Sequence, residues 1–89
     1  MGVNVSSKLL NGFVSRYDQL EVMIIKFLED HKDSAFAAEE IRQYLGLKHD
    51  NPILDFVLAF AFSLILHNMA REGKVKVSTV GGIDYYYVE

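Results

Sequence analysis

Three histidines, His31, His49 and His67, are the side chains of this 89-residue chain best suited to holding a metal ion. None is close in sequence to another, and the chain has no cysteine to complete a set, so no metal and no cofactor is expected. Glu39-Glu40 and the Asp30/Asp33 pair place carboxylates on or beside helix starts, where the helix dipole and solvation account for them. No Ser/His/acid set and no glycine-rich phosphate loop is present; the chain is read as not an enzyme, with no small-molecule substrate evident. Lys74 and Lys76 share one face of an alternating stretch, and the Tyr85-Tyr86-Tyr87 run beside them adds hydroxyls. Those groups could bond phosphate oxygens.

The element that dominates the chain is Asn51 to Gly73, NPILDFVLAFAFSLILHNMAREG. Asn51 caps a helix, Pro52 suits its first position and Gly73 its end. Placing residues about 100° apart puts Leu54, Leu58, Phe62, Ile65 and Met69 on one face. Phe56, Ala59, Phe60, Ser63 and His67 fall on the other. Both faces are apolar, whereas a surface helix needs only one such face. The uncharged run from Phe56 to Leu66 makes only about 16 Å of helix against roughly 30 Å of hydrocarbon, so no membrane span is expected.

Before that helix, residues 1–14 read as an N-terminal arm and residues 15–89 as one domain. Ser15-Arg16-Tyr17-Asp18 fits the start of a helix over about Arg16 to His31. Its inward positions are Leu20, Met23, Ile24, Phe27 and Leu28, with Asp18 and Glu21 toward solvent. Ser34-Ala35-Phe36 is a candidate short extended piece. Ala37 to Leu45 reads as a second helix, with Ala38, Ile41, Tyr44 and Leu45 inward and Gly46 as its stop. After Gly73, Lys74 to Val80 alternates with period two, Gly81-Gly82 marks a hairpin turn, and Ile83 to Glu89 forms the return strand.

Composition bounds the rest. Hydrophobic residues make up 51% and charged residues 24%, with a single proline, which suits a folded domain and not a disordered one. A net charge of −3 gives no global attraction to nucleic acid. Absence of cysteine excludes disulfides and leaves the reducing cytoplasm as the expected compartment. No secretory signal pattern is evident at the N-terminus.

The order helix, short strand, helix, turn, helix, hairpin resembles a winged helix-turn-helix domain. Ala37-Ala38-Glu39-Glu40-Ile41-Arg42-Gln43-Tyr44-Leu45-Gly46-Leu47 is similar to the first helix of the turn motif, with its A-x-E-I and L-G-L. Met69-Ala70-Arg71-Glu72-Gly73-Lys74-Val75 resembles the end of a recognition helix running into a wing, and the closing YYYV resembles the last wing strand. The resemblance covers roughly Ser15 to Glu89. It implies an α+β winged helix-turn-helix fold of three helices plus a C-terminal two-stranded β-hairpin wing. It further implies a DNA-binding transcription regulator, commonly a homodimer, with Asn51 to Glu72 as recognition helix. Arg42, Lys48, Arg71, Lys74 and Lys76 are the positive charges of the turn motif and wing, and would contact the phosphates of double-stranded DNA.

The outward face of the long helix offers few groups of the kind that read base edges. Phe56, Ala59 and Phe60 with flanking Leu64 would expose on the order of 400 Å² of apolar surface, which monomeric proteins rarely leave open. Phe56, Ala59, Phe60, Ser63 and His67 are therefore the expected dimer interface. Cover by the N-terminal arm, or by a different protein, remains open. The alternative function is a winged-helix module for protein–protein interaction and dimerisation, without DNA binding.

Overall fold

A computed structural model describes residues 18–89; the expected arm and the expected Ser15 cap lie outside the described residues. The described residues are α+β, with three helices and a three-stranded antiparallel sheet. Helix α1 covers residues 18–30, β1 is Phe36–Ala37, α2 is Ala38–Tyr44 and α3 is Pro52–Arg71. Strands β2, Lys76–Val80, and β3, Ile83–Tyr87, follow.

Local chemistry sets the ends of these elements. Asn51 Oδ1 accepts the N–H groups of Ile53 and Leu54 at 3.0 and 3.2 Å, and Pro52 opens α3 without a donor to satisfy. At the far end Gly73 adopts φ +77°, which lets its N–H reach Ala70 O while Lys74 N–H reaches Met69 O. The same double closure ends α2, with Gly46 bonded to Gln43 and Leu47 to Arg42. The start of α2 is less complete. Ala37 has no side-chain acceptor, so only its own N–H is satisfied, by Glu40 Oε1 at 2.9 Å.

Sheet order is β1-β3-β2. Gly81 and Gly82, at φ 60° and 79°, make the two-residue turn that pairs Val80 with Ile83. Phe36 pairs with Tyr86 and Ala37 with Tyr85, so the candidate extended piece before α2 is a third strand, joined to the expected two-stranded hairpin. The core gathers Ile24, Phe27 and Leu28 from α1, Ile41 from α2, Phe62, Leu66 and Met69 from α3, then Val75 and Tyr86. Of the three tyrosines only Tyr86 is buried, flanked by half-buried Tyr85 and Tyr87, as alternation along a strand requires.

Several inward positions differ from the sequence reading. Met23 and Tyr44 are exposed, and Glu21 takes an inward place on α1. Every residue of β2 is exposed, and the buried valine of the alternating run is Val75, just before the strand. Among the described residues β2 packs chiefly on β3, so alternation alone does not bury one of its faces.

Candidate functional site

The outer surface of α3 is built by subtraction. The rest of the domain packs on Phe62, Leu66 and Met69, toward the C-terminal half. Leu54 and Leu58, expected inward, stay about half exposed. Phe56 is 75% exposed and Phe60 62%, and Ile53, Val57 and Leu64 are exposed beside them. Residues 53, 57, 60, 64, 67 and 71 follow at steps of four and three, which keeps them in one stripe directly opposite the buried side. Within it Ile53, Val57, Phe60 and Leu64 are apolar, and His67 and Arg71 close the C-terminal end.

Of the five residues expected on this face, Phe56, Phe60, Ser63 and His67 are exposed, whereas Ala59 is half-buried toward the core side. The stripe is rotated from the one expected, and Ile53, Val57 and Leu64 belong to it. A polar face would have pointed to them by contrast. A helix apolar all round supplies none.

Beside the stripe, Leu20, Leu47, Leu58, Ala61, Phe62 and Ile65 line an apolar groove of about 200 Å³ between α1, the α2–α3 turn and α3. That is below the roughly 300 Å³ at which small-molecule pockets begin. Among the described residues α3 is the one helix long and apolar enough to cross a membrane by length and composition. Phe62, Leu66 and Met69 of the same helix are buried against the domain, and its first turn carries an ion pair.

That ion pair corrects the role expected of Arg42. The guanidinium is 2% exposed and sends Nη1 and Nη2 to Asp55 Oδ1 and Oδ2 at 2.6 and 3.1 Å. Nε and Nη2 reach the Glu39 carboxylate at 3.0 and 2.9 Å, and Nη1 also meets Leu47 O at 3.4 Å. The group joins α2, the turn and α3, and has no donor left for a phosphate. Asp55 also accepts His49 N–H at 2.8 Å. Arg42 first, then this backbone bond, holds its carboxyl down at about 2; the two carboxylates raise the Arg42 guanidinium further.

Lys74 is similarly committed. Its Nζ lies 2.9 and 3.2 Å from the carboxylate of Glu21, which is 6% exposed, and 3.1 Å from Glu72. Those bonds, Glu21 foremost, raise the Lys74 ammonium above its ordinary range. Lys76 is exposed and sits 3.2 Å from Glu89. Among the described residues no ion pair engages Lys48 or Arg71, and both are exposed. The five cations therefore do not form one basic surface: Arg42 is buried among its carboxylates, and Lys74, though exposed, is paired with two.

No family model, curated protein or solved structure matches the chain.

The histidines do not converge. His31 stacks near Phe27, with ring centroids 4.5 Å apart, and its Nδ1 lies 2.8 Å from Phe27 O. His49 Nδ1 accepts Asn51 N–H at 2.9 Å, and His67 stands alone on α3. Among the described residues no three His, Cys, Asp or Glu side chains are grouped to hold a metal ion.

Proposed function

We propose that this chain is a protein-interaction module of winged-helix type, in which the exposed outer face of α3 docks against another protein surface. The observation that carries the reading is that face itself. On a helix in the recognition position, the groups pointing outward are Ile53, Phe56, Val57, Phe60 and Leu64. None of these five can exchange hydrogen bonds with a base edge, and the exposed polar side chains of this face, Ser63, His67 and Arg71, lie toward its C-terminal end. The winged-helix assignment is supported by the order α1-β1-α2-α3-β2-β3 and by β3 pairing with both β1 and β2. The neutralisation of Arg42 by Glu39 and Asp55, and of Lys74 by Glu21 and Glu72, supports the module's lack of a phosphate-binding surface.

A second reading, a DNA-binding transcription regulator, draws support from Lys48 and Arg71, which are exposed, and from Lys76 on the hairpin. Gel mobility of a mixed-sequence duplex pool separates the two. The module reading expects no retardation at roughly 50 mM salt, where phosphate contacts are strongest. Retardation that fades steeply toward roughly 200 mM salt, and is abolished by Lys48→Glu/Arg71→Glu/Lys76→Glu, would replace it with the DNA reading.

A further inference from the structure

We propose that the occupant of the α3 face is a second copy of this chain. The two α3 helices run antiparallel about a two-fold axis passing between Val57 and Phe60, with Ile53 level with the partner's Leu64. This rests on the reading of α3 as a protein-docking face and adds the identity and direction of the partner.

Three observations on that face converge. Its area is the first. Ile53, Phe56, Val57, Phe60 and Leu64 together expose on the order of 600 Å², most of the roughly 800 Å² per partner of a standard stable interface. The second is the step of four and three residues from Ile53 to His67, an average of about 3.5, which is the spacing that a second helix bearing the same stripe meets along its length. A self-complementary patch of this kind is what a two-fold contact requires.

Charge sets the direction. Asp50 lies just before α3, while His67 and Arg71 lie on the stripe at its far end. A parallel pair would set Asp50 against the partner's Asp50, Arg71 against the partner's Arg71, and like helix-dipole ends together. In the antiparallel register Asp50 lies level with the partner's His67 and about one turn from the partner's Arg71. Glu72, the nearby acid that would oppose this, is held by Lys74 at 3.1 Å.

Sedimentation equilibrium of the full chain, with thiol cross-linking, tests the proposal. Wild type is expected to form dimers, and Phe60→Glu to weaken association by at least about 30-fold while keeping its circular dichroism spectrum. Because the chain has no cysteine, introduced thiols are unambiguous. A mixture of the Ile53→Cys and Leu64→Cys variants should form a mixed disulfide on oxidation. Neither variant alone should cross-link, because like positions would sit about 16 Å apart along the helices, beyond disulfide reach. This arm stands even if Phe60→Glu fails to fold. Disulfides within either single variant would overturn the antiparallel arrangement. A wild-type monomer at all concentrations would overturn the dimer, whether the cover is the N-terminal arm or a different protein. The docking reading itself falls only to the duplex experiment.

Discussion

Arg42 directs all five of its N–H donors into the protein, three acceptor groups receiving them: two carboxylates and one carbonyl. Its partner Asp55 has a folded pKa of about 2 against an ordinary 3.8, so the folded state favours the ionised form. The stabilisation is therefore fully present above about pH 4 and is lost as pH falls from there through about 2. Thermal melts of wild type and Asp55→Asn should show a wild-type advantage at pH 5 that closes by about pH 2. A gap that stays constant over that range would mean the carboxylate charge contributes nothing. Lys74 and Glu21 act alike at another junction, joining α1 to the segment that leads into the hairpin.

At the level of elements, α3 is held at its ends by local bonds and along its C-terminal half by packing on one side only. Leu66 is fully buried, and Leu66→Ala should cost about 2–5 kcal/mol in urea denaturation. Phe60 is the larger side chain but faces outward, and Phe60→Ala should change the stability of the single subunit by no more than about 0.5 kcal/mol. Asn51→Ala, which strips two capped N–H groups of their acceptor, falls between at about 1 kcal/mol. If Phe60→Ala in dilute solution proved as costly as Leu66→Ala, the face described as open would instead be part of the core.

For the whole molecule, the proposed dimer would supply by association what the core of so short a chain is too small to give. Stability should then depend on concentration, because a partner that binds only the folded form shifts the equilibrium by mass action. Raising the chain concentration about tenfold should raise Tm in wild type and leave Phe60→Glu unmoved. A Tm independent of concentration in both would leave the subunit to stand on its core alone.

The sequence by itself determined the order of the elements from α1 onward and, to within a residue or two, where α2, α3 and the hairpin turn fall. Asn51, Pro52, Gly46, Gly73 and the Gly81-Gly82 pair act on the backbone within a few residues of themselves, so their effects are legible without a fold. It also announced that α3 carries more apolar surface than one face can hide. Only the tertiary structure decided which side of α3 meets the core, because a helix with no polar face has no periodicity to orient it. It likewise decided that Arg42 and Lys74 lie against carboxylates 13 and 53 residues away, where the sequence offered them to phosphate. A charge pattern records which groups are present, whereas the packing of distant segments fixes which of them meet.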